Sequence, residues 1–335
     1  MPASPLTPVF VLTGFLGSGK TTLLNRLLRD PAWAHTAVLV NEIGAIPLDH
    51  LLVRPSSERI AVLSNGCLCC SVAGDMVKAL RELYFQRSTG AVPSFERVVI
   101  ETSGLADPAP ILHTLVDLPL AAARYALAGI LTTADAAHGA STLDTHRESV
   151  KQVAVADRLI LTKADRATRG QVEALKARLA QLNPAAAVSD ASGPPSELLE
   201  ASLATAGASR WLAFDRVSAA VRAAPGLFTG GGVHDARVRT RALQFTGNLD
   251  RAAFEDALAS LAEVAAQRLL RLKGLVAFAG DAQPHAVHAV QHSIYPLFRL
   301  PAWPNEDRRS RLVVITRDLD DNSVLELLGP GWSVA

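Results

Sequence analysis

The chain has 335 residues, 49% of them hydrophobic, and a formal net charge of +1. This length suggests two domains with a sizeable core, and the near-neutral balance gives no electrostatic reason to expect nucleic acid or an anionic membrane as a partner. There is no apolar run of about 18 residues, and the start MPASPLTPVFVLTGF lacks a charged leader ahead of an apolar stretch. Neither a membrane span nor a signal peptide is expected, and the chain reads as soluble and cytoplasmic.

Short apolar runs alternate with helix-length segments through the first half. Strands are expected at 9–12, 37–40, 60–63, 97–100, 128–132 and 157–161, and helices at 20–29, 75–85 and 170–181. Continuous apolar strands alternating with helices imply an α/β domain with a mostly parallel sheet. Composition changes near residue 190. Residues 189–210 are rich in Ala, Ser and Pro, and GLFTGGG at 226–232 looks like a flexible join. A smaller α+β domain with an antiparallel sheet is expected after it. Its elements are a strand at 238–245, a helix at 249–272 capped by Asn248, strands at 274–279, 288–293 and 312–316, and a helix at 322–328. The expected boundaries are 1–190, a linker at 191–235, and 236–335.

Residues 14–21, GFLGSGKT, fit G-x-x-x-x-G-K-[ST] between a strand and a helix. Such a loop turns backbone N–H groups toward a polyphosphate, and the helix N-terminus adds positive potential. Gly14, Phe15, Leu16, Gly17, Ser18, Gly19, Lys20, Thr21 and Thr22 are therefore candidate nucleotide-binding residues. Lys20 would bridge the β- and γ-phosphates, and the Thr21 hydroxyl would hold Mg2+. Glu101 ends the strand of RVVIETSG (97–104), at the edge where parallel sheets bind ligands. It would hold Mg2+ or place the attacking water, and Gly104 would bring a backbone N–H near the γ-phosphate. No general base is evident. TKAD, at 162–165, ends another strand and fits [NT]-K-x-D. The Asp165 carboxylate can accept from two adjacent donors of guanine that adenine lacks, while the Lys163 stem covers the base and Thr162 leads in. GTP is therefore expected over ATP, which argues against an ATP-dependent kinase or ligase.

All three cysteines fall in SNGCLCCSV, at 67, 69 and 70. A structural disulfide is not expected in a reducing compartment, and one between neighbours is strained. Three thiolates on one ion suit Zn2+ or Cu(I), with zinc favoured by availability. Three small buried residues packing beneath the nucleotide are the other reading.

GFLGSGKTT, NEIG followed by Asp49, NGCLCC, ETSGLADP and TKAD occur in that order. Together they resemble the CobW-like family of P-loop GTPases, relatives of the nickel-insertion GTPases of urease and hydrogenase. LKG at 272–274, VQH at 290–292 and RRSRLVVI at 308–315 resemble its C-terminal domain. The resemblance implies a slow GTPase that binds zinc or another transition metal at Cys67, Cys69 and Cys70. Such proteins are thought to deliver metal to a client protein, or to serve cobalamin synthesis or nitrile hydratase activation. Expected partners are GTP and GDP, a metal-receiving client and, as a candidate, a second copy of the chain. The rival is a nucleotide-controlled interaction protein whose cysteines only pack. Position 45 is Ala where the family often carries an acid, and Val40 is apolar, so an auxiliary metal site there is not expected; Glu42 remains a candidate ligand. A long His tract is missing, with only His234 after the glycine join. His285, His288 and His292 form a second candidate cluster, with His288 and His292 sharing a strand face. His50 is a weaker candidate, His113 is expected to pack on a helix, and Asp307–Arg311 is expected to be a solvated turn.

Overall fold

The computed structural model describes residues 6–41, 62–64, 72–117, 123–199 and 238–335. The first seven strands are β1 (Thr7–Gly14), β2 (Thr36–Asn41), β3 (Val62–Ser64), β4 (Arg97–Thr102), β5 (Tyr125–Asp135), β6 (Arg158–Thr162) and β7 (Ala187–Asp190). They form one sheet in the order β3-β2-β4-β1-β5-β6-β7, with every pairing parallel.

β1 is apolar on both faces because helices cover both. Val9 and Val11 pack with α2 (Val72–Ser88), through Met76, Leu80 and Leu83, and with α3 (Ala109–Asp117), through Ile111, Leu112 and Leu115. Phe10 and Leu12 point the other way, onto Leu23, Leu24 and Leu27 of α1 (Lys20–Leu27) and onto Trp33. Side chains alternate across a strand, so a fully apolar run requires two covering layers. α4 (Gly139–Thr145), α5 (Arg147–Val155) and α6 (Arg169–Leu182) follow β5 and β6. A capping box of Thr168 and Gln171 starts α6, one residue earlier than expected. Residues 191–199, which composition assigns to the linker, run along this same domain. Ser192 O accepts from Arg26, Pro195 O accepts from the Trp33 indole, and Leu198 joins the α1 core; a short helix α7 spans Ser196–Leu199. The glycine join expected at 226–232 lies outside the described residues.

The second sheet contains β8 (Val238–Phe245), β9 (Leu269–Val276), β10 (His285–Val290), β11 (Ser293–Ile294), β12 (Phe298–Arg299), β13 (Ser310–Arg317) and β14 (Trp332–Val334). Its order is β11-β10-β9-β13-β8-β14, with β12 on β10, and its pairings are antiparallel. α8 (Arg251–Val264) and α9 (Asp321–Leu328) contribute Phe254, Leu258, Leu261, Val324 and Leu328 to its core.

Four expectations for this half are corrected. The helix expected over 249–272 stops at Val264 and is capped by Asp250, whose side chain accepts from Ala253 N, rather than by Asn248. The segment from Leu269 is β9, buried along its whole length, so the strand expected from Gly274 begins five residues earlier. β10 ends at Val290 and the chain turns at Gln291 (φ 51°), so His292 leaves the strand and does not share a face with His288. The turn at 307–311 is not simply solvated either. Arg311 is 2% exposed and reaches Asn305 and Asp307.

Val238, Leu270 and Ile315 of the second sheet join the core built on α5 and α6. At the same junction the buried Asp157 carboxylate accepts from Ile130 N (2.8 Å), from Arg271 (2.6 Å) and from Lys273. Among the described residues no helix is long and apolar enough to cross a membrane.

Candidate functional site

The carboxyl ends of β1, β4 and β6 meet at one edge of the parallel sheet, where such sheets bind ligands. The loop after β1 bends sharply at Gly14 (φ 140°), where a Cβ would lie 2.2 Å from the Thr133 hydroxyl. Ser18 reaches the same hydroxyl at 2.6 Å, which fixes the loop against β5. Lys20, at the first position of α1, is 9% exposed and folds back over the loop, donating to Gly14 O (3.0 Å) and Phe15 O (3.2 Å). An ammonium held by two loop carbonyls sits where phosphate oxygens can replace them. Phe15 stacks on His146 (centroids 4.3 Å apart, planes 26° apart), while Leu16 is exposed.

Glu101 is 3% exposed, and its Oε1 accepts from Thr21 Oγ1 at 2.6 Å. Two oxygen donors converging next to the phosphate loop suit a hard cation such as Mg2+. Gly104 follows on the same segment. A Cβ there would lie 2.6 Å from both Leu16 Cα and Leu16 N, so only glycine lets this backbone lie against the phosphate loop. The 104–106 backbone is held from beneath by Gln152 of α5. Its side-chain amide, 1% exposed as a residue, donates to Gly104 O (3.2 Å) and Ala106 O (3.1 Å).

The third segment closes the loop from the other side. The Thr162 hydroxyl donates to Ser18 O (2.7 Å). Lys163, in the left-handed region (φ 54°), donates to Gly17 O and to Asp135 Oδ2, both at 2.6 Å. Burial alone would raise the Asp135 carboxyl. The Lys163 ammonium and the N–H groups of Ala137 and His138 outweigh it and hold the group below the ordinary carboxylate range. Asp165 stands 80% exposed on a cleft of about 300 Å³ lined also by Thr22, Arg26, Thr162 and Ala191. A carboxylate at the rim and a lysine stem along the wall suit a planar base with adjacent donors.

The phosphate-loop residues 14–22, Glu101, Gly104, Thr162, Lys163 and Asp165 thus lie around one edge. Cys67, Cys69, Cys70, Glu42, Asp49 and His50 lie outside the described residues. The histidines expected to cluster do not come together. His285 packs on Phe278, His288 stacks on Tyr295, and His292 meets His113 of α3 (centroids 3.5 Å apart). Among the described residues no three His, Cys, Asp or Glu side chains could hold a metal ion. Asp135, Gln152 and His146 were not singled out in the sequence. Asp135 alone left a signal there, an acid ending an apolar strand as Glu101 does.

The loop, the strand-end carboxylate beside its threonine and the doubly wound parallel sheet define a P-loop nucleotide-binding domain. The chain belongs to the CobW/HypB/UreG family: residues 8–190 match its nucleotide-binding domain, and residues 238–329 match the cobalamin synthesis protein CobW C-terminal domain. It is 39% identical over 180 residues to the zinc chaperone YjiA of Escherichia coli, which covers 54% of this chain and 56% of that protein. It is 32% identical over 210 residues to the zinc chaperone CobW of Pseudomonas aeruginosa, covering 53% and 54%. The zinc-regulated GTPase metalloprotein activator 1 of Saccharomyces cerevisiae is 34% identical over 201 residues, covering 52% and 46%. The chain thus spans about half the length of the curated relatives it matches. The crystal structure of the Zn(II)-bound YjiA GTPase from E. coli has the same fold across nearly both chains, with a TM-score of 0.66 at 24% identity and coverage of 97% and 98%.

Proposed function

We propose that this protein is a GTP-binding and GTP-hydrolysing metallochaperone that carries zinc at Cys67, Cys69 and Cys70 and passes it to a client protein under nucleotide control. The observation that carries the reading is the convergence of Lys20, the Thr21–Glu101 pair and Lys163 with Asp165 at one sheet edge. The relatives, two zinc chaperones and a zinc-regulated GTPase, support the metal and the nucleotide. We place the GTPase domain at 1–190, the linker at 191–235 with its first nine residues packed along the GTPase domain, and the C-terminal domain at 236–335, in keeping with the two family matches.

In this reading Lys20 and the backbone N–H groups of residues 14–19 hold the β- and γ-phosphates and neutralise charge as it develops. Thr21 and Glu101 would hold Mg2+, which supplies further positive charge at the phosphate oxygens. Glu101 also helps orient the attacking water. Asp165 and Lys163 select guanine, and Gly104 brings its N–H toward the γ-phosphate. Without an evident general base, turnover is slow. The cysteines and Glu42 lie in the chain between β2 and β4, so a change at the γ-phosphate can reach the zinc ligands.

The test is competitive zinc titration against a chromophoric chelator in nucleotide-free, GDP-bound and non-hydrolysable-GTP-bound protein, beside a GTP turnover assay. The wild type should bind zinc and lose that binding in the Cys67→Ser/Cys69→Ser/Cys70→Ser variant. Nucleotide should shift zinc affinity by about 5–150-fold, and zinc should shift GTP affinity by the same factor. Lys20→Ala should abolish hydrolysis with the fold intact. Equal zinc affinity in the triple variant would put the zinc site elsewhere, and no tight zinc binding by the wild type would leave a nucleotide-controlled interaction protein whose cysteines only pack. Unchanged turnover in Lys20→Ala would remove the phosphate-loop argument.

A further inference from the structure

A polar cleft of about 320 Å³ lies where the two domains meet. Arg147 and Lys151 enter it from one face of α5, one turn apart, and Arg268 and Arg317 enter it from the second domain. Arg317 N donates to Arg268 O at 2.7 Å, which fixes these two beside each other. Facing the four cations are two carboxylates, Asp107 and Asp318, an excess of two positive charges in one concavity of a chain whose formal net charge is only +1. Asp107 Oδ2 takes Lys151 at 2.9 Å and Gln291 at 3.3 Å, and Asp318 lies 3.7 Å from Arg317 Nε. Among the described residues the side chains of Arg147 and Arg268 make no ion pair or hydrogen bond, and both are exposed at the rim. Like charges gathered by folding repel unless a counter-charge joins them, and three guanidinium forks with a point-charge ammonium match the oxygens of a phosphate or carboxylate.

We propose that this interdomain cleft binds a small free polyanion bearing phosphate or carboxylate groups, gripped by Arg147, Lys151, Arg268 and Arg317. Its volume is at the low end of small-molecule sites, which run from about 300 to 1,000 Å³. The site is tied to the nucleotide edge through Asp107, three residues beyond Gly104. Asp107 Oδ1 accepts from Ala109 N (3.0 Å) just ahead of α3, and Asp107 shares Lys151 with the cleft. An anion that draws Lys151 from Asp107 loosens the 104–107 segment, so anion and nucleotide become linked. This linkage, unlike the site itself, rests on the nucleotide reading above.

The experiment is calorimetric titration of the full chain loaded with a non-hydrolysable GTP analogue and Mg2+, so that phosphate does not enter the nucleotide site. Inorganic phosphate and tricarballylate are used in separate runs, and the tighter of the two identifies the chemistry. One-to-one saturable binding is expected, at least about tenfold weaker in Arg147→Gln/Arg268→Gln, with affinity for the nucleotide analogue unchanged. Asp107→Asn, which releases Lys151, should tighten the anion several-fold; an unchanged value there removes the link to the 104–107 segment. No saturable binding of either probe below about 10 mM, or equal binding by the double variant, overturns the site. Failure of the GTP analogue to bind at all would strike the nucleotide reading instead. The same comparison of wild type and double variant on unloaded protein would still read the cleft.

Discussion

Asp165 is 80% exposed at the rim of the candidate base cleft, so its replacement should be felt by the ligand and not by the fold. Asp165→Asn should weaken GTP binding by about 1.5–3 kcal/mol, the range for hydrogen bonds to charged groups. It should favour xanthosine triphosphate, whose carbonyl can accept from the new amide. Competition against a fluorescent GTP analogue measures both, and ATP binding wild type as tightly as GTP would falsify the guanine assignment. Thermal stability should stay within about 0.5 kcal/mol. The role of Lys163 was legible only in part. TKAD marks it as a candidate for covering the base, but its grip on Gly17 O and Asp135 follows from β5 and β6 ending side by side.

At the scale of elements, α5 is the support of the segment after β4. Its Gln152 is buried and donates to two backbone carbonyls. Gln152→Leu would leave Gly104 O and Ala106 O without that donor, costing about 1–3 kcal/mol. GTP turnover should fall more than GDP affinity, because in the proposed reading the 104–106 backbone serves the γ-phosphate rather than the base. A stopped phosphate-release assay beside a GDP titration checks this, and equal losses in both would mean that Gln152 acts only through stability. The mis-set end of α8 teaches the complementary lesson. QRLLRLK at 267–273 carries leucines at spacings that fit either a helix or a strand. Pairing of β9 with β10 and β13 decided for strand, with Arg271 and Lys273 aimed at Asp157.

For the whole molecule, the Asp157 cluster ties the domains. Burial alone would raise the Asp157 carboxyl, but Arg271 and Lys273 outweigh it and hold the group well below the ordinary carboxylate range. His288, beside the same cations, is held well below its ordinary range, first by burial and then by Arg271. Both groups bind a proton more readily in the unfolded chain than in the folded one, so both make stability fall on acidification. The His288 contribution is present above about pH 6.5 and is lost below it, while that of Asp157 is lost from about pH 4 downward. His288→Phe should therefore flatten the stability curve between about pH 5 and 7 in denaturant titrations. Asp157→Asn should cost about 3–5 kcal/mol at neutral pH, because it leaves two buried cations without their counter-charge. A loss under about 1 kcal/mol would show that the cluster is not holding the junction.

The sequence by itself determined what local chemistry dictates. A glycine-rich loop between an apolar strand and a helix, an acid ending a second strand and a lysine–aspartate pair ending a third are each written in contiguous residues. So is the doubly covered sheet, because a parallel strand buried on both faces must be apolar throughout. Tertiary structure decided whatever depends on which distant elements become neighbours. Asp135 under Lys163, Gln152 under Gly104, His292 against His113 rather than beside His288, and the junction of Asp157 with Arg271 and Lys273 join residues between 28 and 179 positions apart in sequence. No periodicity or spacing along one segment encodes such a pairing. It arises when two sheets and the helices between them pack, and buried polar groups then take the partners that packing brings within reach.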